Sequence, residues 1–143
     1  MERDVTRPMD GARFDHLGVA VADLDRARAD YEALFGYQLL SGPFDDPAQE
    51  ARVCFLGTGR PGEPVVELIT PLGDTSHVAR VLKKGLGAYH VCYEVAALDD
   101  VIAACRAAKC ILVSPPTPAV AYGGRRIAWL YWPSRQLVEL VER

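Results

Sequence analysis

Residues 16–25 read HLGVAVADLD, and residues 90–99 read HVCYEVAALD. The two stretches share a histidine at the head, an apolar alternating run, and a Leu-Asp pair at the end. At this single offset His16 falls on His90, Val21 on Val95, Leu24 on Leu98 and Asp25 on Asp99. Further along, RVCFLG (52–57) falls on RIAWLY (126–131). After a shift of two residues, VVELIT (65–70) falls on LVELVE (137–142), which sets Glu67 on Glu139. Three blocks repeated in the same order define two tandem modules, 13–70 and 88–143.

Each module has the same local grammar. FDHLGVAV alternates as a half-buried strand does. Asp23 is a helix N-cap, LDRARADYEALF carries an apolar face, and Gly36 suits the left-handed position that closes a helix. QLLSG, ARVCFLG and PVVELIT then read as strands, the last two separated by the turn-rich TGRPGE. Module two repeats this with YHVCYEV, LDDVIAACRAA, ILVS, RRIAWLYW and QLVELVE, but Lys109 and Cys110 stand where a helix-closing glycine is expected. Between the modules, 71–87 reads as a linker helix capped by Asp74 or Thr75 and closed by Gly85. Residues 1–12 read as a loose arm. Four strands cannot enclose a core alone. Two βαβββ modules set edge to edge make one α+β domain over 13–143, an eight-stranded curved sheet with helices outside and a cleft inside.

Composition narrows the function. The chain has 143 residues and a formal net charge of −3. Without a Lys/Arg-rich run it lacks the footprint of a nucleic-acid binder. No apolar run approaches the roughly 20 residues of a membrane-spanning helix, and the N-terminus lacks a signal-peptide core. The four cysteines form no CxxC pair and read as free thiols, which suits a cytoplasmic location.

The repeat also pairs chemistry. His16 and His90 head the first strand of each module, and Glu67 and Glu139 interrupt the apolar run of each last strand. A lone histidine at a strand start is usually a hydrogen-bonded or surface residue. Two His and two Glu at matched positions are different, because a pseudo-twofold packing brings them together. Imidazole and carboxylate suit one divalent ion: Co, Ni, Mn, Zn or Fe. The ion would also compensate the burial of the carboxylates. His77 has no repeat partner and reads as a surface residue of the linker. Tyr122, in the Gly-rich AVAYGGRR, is a candidate to close over a small-molecule ligand. Arg125 and Arg126 are candidates for an acidic substrate group, and strand alternation lets only one face the cleft. Lys83 and Lys84 suit the linker helix's C-terminal end.

FDHLGVAVADLD, RVCFLG, VVELITPLGDTSHVARVLKKG, YHVCYEVAALDDVIAACRA, GGRRIAWL and LVELVE together resemble the vicinal oxygen chelate superfamily, most of all its methylmalonyl-CoA epimerase branch. That superfamily includes glyoxalase I, bleomycin-resistance proteins and extradiol dioxygenases. The resemblance implies paired βαβββ modules with a metal between them, and puts His16, Glu67, His90 and Glu139 on the ligand positions. It implies a homodimer and a metal-dependent epimerase or isomerase that abstracts a proton α to a thioester, with an acyl-CoA as substrate. Glu67 and Glu139 are then candidate catalytic carboxylates. Gln49, Tyr122 and Arg125 are candidate substrate contacts. Two departures stand out. Tyr89 replaces the first of two adjacent histidines, and Ala48 falls where epimerases carry a catalytic glutamate. Glu50 is the nearest replacement, but two residues along a strand is roughly 7 Å. A glyoxalase I-like lyase or a resistance-type binding protein are the alternatives, with a dioxygenase behind them.

Overall fold

The structure is a computed structural model and describes residues 7–143. Module one runs β1 (Arg13–Ala20), α1 (Leu24–Phe35), β2 (Gln38–Asp46), β3 (Ala51–Gly57) and β4 (Val65–Pro71). Helix α2 (His77–Lys83) follows. Module two runs β5 (Ala88–Val95), α3 (Leu98–Ala107), β6 (Ile111–Pro118), β7 (Arg126–Tyr131) and β8 (Leu137–Glu142), with a 3-10 turn at Val120–Tyr122. The strands form one eight-stranded sheet in the order β2-β3-β4-β1-β5-β8-β7-β6. The two-module α+β fold expected from the repeat is the fold observed. Among the described residues no helix is long and apolar enough to cross a membrane.

The modules meet where β1 pairs antiparallel with β5. Flanking them, β4 runs parallel to β1 with Gly18 opposite Glu67, and β8 runs parallel to β5 with Cys92 opposite Glu139. These pairs are equivalent under the repeat, including its shift of two residues. The two glutamates therefore occupy the same register position of their modules.

Strand alternation divides the core between the two faces of the sheet. Cys54, Leu56, Val66 and Leu68 pack with Leu24 at the start of α1, and Val95, Ala128, Leu130, Val138 and Leu140 pack with Leu98, Ile102 and Cys105 of α3. Each fully buried leucine, such as Leu56, Leu68 and Leu140, contributes about 1.5–3 kcal/mol. The other face carries Val53, Phe55 and Ile69, against which Val78 and Val81 of α2 pack. The linker helix thus lies on the opposite face from α1 and α3.

Helix ends show where local signals hold. Asp23 accepts from the Arg26 amide at 3.0 Å, and Gly36 closes α1 at φ 69°. For α2 the cap is Ser76, which accepts from the Val78 amide, in place of Asp74 or Thr75. Helix α3 has no side-chain cap, and Lys109 takes the left-handed turn at φ 78°. Residues 1–6 of the expected arm lie outside the described residues. From Arg7 the chain is a turn whose Met9 and Ala12 pack against module two, and Arg143 donates to the Gly11 carbonyl at 3.3 Å.

Candidate metal centre

The four repeated side chains meet at the sheet's centre. His16, Glu67, His90 and Glu139 are all buried, and their ligand atoms lie within 4.8 Å of one another. His16 Nε2 is 3.3 Å from His90 Nε2, 3.1 Å from Glu67 Oε1 and 3.3 Å from Glu139 Oε1. His90 Nε2 is 3.4 Å from Glu67 Oε1 and 3.3 Å from Glu139 Oε1.

These separations test the fit to an ion. Ligands about 2.0–2.2 Å from a shared ion, at tetrahedral to octahedral angles, stand about 2.8–3.6 Å apart. Every separation just given falls in that interval. Among the described residues Glu139 Oε1 is buried without an aligned hydrogen bond, although two imidazole nitrogens lie close. Facing Nε2 atoms and carboxylate oxygens suit a divalent ion, and the cluster is able to hold a metal.

Electrostatics couples the four groups. Burial disfavours the charged form of His16, but Glu67, Asp15 and Glu139 outweigh it and hold the imidazole well above its usual 6.5. Burial likewise opposes charge on His90, and Glu139 and Glu67 raise it. For Glu139 burial works upward, yet His16 and His90 bring it down to about 2. A metal must therefore displace protons from the imidazoles to bind.

Local sequence fixes each imidazole differently. His16 Nδ1 donates to Asp15 at 2.7 Å, and the Tyr122 hydroxyl donates to the same carboxylate at 2.9 Å. Such a carboxylate sets the tautomer that leaves Nε2 free as a ligand. His90 Nδ1 is buried without a partner among the described residues. Its ring is instead held by shape. Trp129 stands edge-on at 4.7 Å between centroids and Tyr89 at 4.6 Å, and a Cβ on Gly18 would lie 1.9 Å from His90 Cε1. On the other side Phe55 meets His16 edge-on at 5.2 Å. Phe55 and Trp129 are themselves repeat equivalents, pairing with Glu67 and Glu139 across the ladder.

A cavity of about 230 Å³ opens beside the cluster, with Glu67 and Glu139 among its lining and Val53, Ile69, Ile127 and Leu137 as apolar walls. Gln49 lines it and accepts from Trp129 Nε1 at 3.1 Å, and Tyr122 also lines it. Two other candidates stand apart. Glu50 is absent from the lining, and its carboxylate accepts from the Thr75 hydroxyl at 3.2 Å. Arg125 is exposed: its guanidinium donates to the Glu142 carbonyl at 3.2 Å and lies 3.6 Å from Glu94. Arg126 is bound by Asp99 and Glu142, so neither arginine faces the cavity.

Other cavity residues carried no clear sequence signal. His77 is half-buried on the cavity wall, not on the outer surface, because α2 packs on this face of the sheet. Tyr89 lines the cavity too, and burial keeps its phenol protonated well above the usual range. Burial pushes the Cys54 and Cys105 thiols up to about 11 and Cys92 well above its usual value, so none of the three is an activated nucleophile. Signals for three supports of the imidazoles went unread: the repeat aligns Phe55 with Trp129, and Asp15 adjoins His16.

A symmetric pair of βαβββ modules around a His₂Glu₂ cluster defines a class. Residues 15–129 match the Glyoxalase/Bleomycin resistance protein/Dioxygenase superfamily, and the chain belongs to it. Within that class the relatives are more specific. Over 94 residues, 64% of this chain, it is 35% identical to the ethylmalonyl-CoA/methylmalonyl-CoA epimerase of Cereibacter sphaeroides, covering 65% of that protein. Over 113 residues, 78% of this chain, it is 33% identical to the mitochondrial methylmalonyl-CoA epimerase of Bos taurus, covering 62% of it. The chain thus spans a little less than two thirds of these relatives. The methylmalonyl-CoA epimerase structure from Mycobacterium tuberculosis superposes with a TM-score of 0.77 at 30% identity, over 90% of this chain and 86% of that one.

Proposed function

We propose that the protein is a metal-dependent epimerase or isomerase that moves the proton α to a thioester carbonyl, with a methylmalonyl-type acyl-CoA as substrate. The observation that carries this reading is the placement of Glu67 and Glu139. Both belong to the buried four-residue cluster and both line the cavity beside it.

His16, Glu67, His90 and Glu139 would hold one divalent ion of Co, Ni, Mn, Zn or Fe. When bound, such an ion supplies Lewis-acid stabilisation of negative charge developing on the carbonyl oxygen. The chain supplies the rest. Val53, Ile69, Ile127 and Leu137 exclude water and strengthen the electrostatics of the floor. Gln49, held by Trp129, offers its amide N–H to a substrate oxygen. A carboxylate of the floor takes the α-proton. At about 230 Å³ the cavity is smaller than the roughly 300–1,000 Å³ of drug-sized pockets. It therefore takes the acyl end and leaves the CoA nucleotide outside. A homodimer belongs to this reading through the family, and a cytoplasmic location through the free thiols.

The test uses single epimers of methylmalonyl-CoA in ²H₂O with chelated and metal-reloaded protein. Metal-dependent deuterium incorporation at the α-carbon, with loss of optical purity, is the expected result. Unchanged substrate, with conversion of a hemithioacetal instead, would replace this reading with the lyase.

A further inference from the structure

We propose that His77 is the second proton-handling group of this cavity, acting on the face of the substrate α-carbon opposite the floor carboxylates. The inference rests on the epimerase reading above. An epimerase must remove a proton from one face and return one to the other. Ala48 has no proton to give, and Glu50 is turned to Thr75.

The remaining titratable groups of the lining separate by what they are already doing. Asp46 is buried, but one carboxylate oxygen accepts from the Ala48 and Gln49 amides and the other from the Val120 amide. It is spent on joining the loop of module one to the 3-10 turn of module two. Tyr122 donates to Asp15. Burial raises the phenols of Tyr122 and Tyr89 far above neutrality. Arg80 donates to the Thr75 carbonyl at 3.5 Å. His77 is left. Its Nε2 is buried without a hydrogen-bond partner among the described residues, its ring lies 6.0 Å from that of Tyr89 between centroids, and it lines the same cavity as Glu67 and Glu139. Burial and the nearby cationic side chains bring it below its usual 6.5, so the neutral form is accessible at pH 7. A buried imidazole nitrogen without a partner forgoes a hydrogen bond, and a turn of the ring toward the cavity would let a ligand supply one.

The proton balance closes. From one epimer a floor carboxylate takes the α-proton as the C–H bond breaks, and protonated His77 delivers a proton to the opposite face. From the other epimer neutral His77 takes the proton, and the carboxylic acid delivers one. No oxidant or further reactant is involved.

The decisive comparison is parent protein against His77→Gln, both metal-loaded, with each methylmalonyl-CoA epimer in ²H₂O. Epimerisation by His77→Gln should fall about 10²–10⁴-fold. Deuterium exchange without inversion should persist for the epimer whose α-hydrogen faces the floor. Metal content should not change. Added imidazole should restore turnover to His77→Ala, which also guards against a folding defect in either variant. On adding propionyl-CoA, the His77 ring-nitrogen NMR signal should shift. Epimerisation by His77→Gln within about twofold of the parent would overturn the assignment, as would loss in Asp46→Asn alone. A parent that neither exchanges nor epimerises would overturn the epimerase reading itself, and the two failures are thereby distinct.

Discussion

The two modules place the same candidate ligands by different means. In module one, His16 is held by a hydrogen bond from Nδ1 to Asp15, and Tyr122 of module two reinforces that carboxylate. In module two, His90 has no partner on Nδ1 among the described residues and is wedged between Tyr89, Trp129 and the bare backbone of Gly18. The equivalent of Gly18 is Cys92, buried beside His16. The two modules carry the same candidate ligands on different supports. One imidazole is oriented by charge and the other by shape, so they should fail differently.

The largest effect should come from attacking shape. Gly18→Ala puts a methyl into the His90 ring, which must leave its place. Overpacking of this kind costs about 1–3 kcal/mol, and the displaced ligand should lower metal affinity at least 100-fold. Cys92→Ala, at the equivalent position, only removes a sulfur and should keep metal affinity within a few-fold. Metal titration of both variants by calorimetry checks the contrast; equal losses would erase the distinction between the modules.

Next is the charge-oriented side. Asp15→Asn leaves the shape intact but weakens the partner of His16 Nδ1. Loss of such a support lowers metal affinity about 10–100-fold. Tyr122→Phe, which removes one of the two donors to Asp15, should cost less. Affinities measured under one buffer would sharpen the ranking, and an unaffected Asp15→Asn would show that packing alone orients His16.

Acidity should show the coupling of both modules. Glu139 is held at about 2 against an ordinary 4.5, so its contribution to stability is complete above pH 4.5 and is lost as pH falls through about 2. His16 and His90 are raised above 6.5, so theirs is complete below pH 6.5 and is lost as pH rises through the raised values. Ion-free protein should therefore melt highest between pH 4.5 and 6.5. Metal binding needs neutral imidazoles and should tighten above that window with release of protons. Melting curves with chelator across pH, and calorimetry in buffers of different ionisation enthalpy, measure the two trends.

The smallest effect compares the helix ends. Gly36 adopts its left-handed conformation freely, whereas Lys109 holds one at φ 78°. Lys109→Gly should stabilise the protein by up to about 1 kcal/mol, and Gly36→Ala should destabilise it by a similar amount. Denaturant midpoints read both.

Much of the site was legible because it is repeated. Alternation in HLGVAV and HVCYEV marks the central strands, and the matched glutamates at the centres of VVELI and LVELV mark the floor. Phe55 and Trp129 were aligned by the same repeat, although only the packing shows that each backs an imidazole. Asp74, Thr75 and Ser76 are adjacent and all have capping side chains, and only the backbone path selects Ser76. Arg125 and Glu50 looked available because a sequence shows charge without showing which partner has already claimed it.

By itself, then, the sequence determined the two βαβββ modules, their strand content and the four ligand candidates, because periodicity and duplication are properties of the chain. The tertiary structure alone decided what those residues meet. It set His90 against Gly18, brought α2 and His77 onto the cavity face, and turned Arg125 and Glu50 away. The reason is physical: those outcomes depend on contacts between residues far apart in the chain, fixed by how two curled halves close on one another and not by any local pattern.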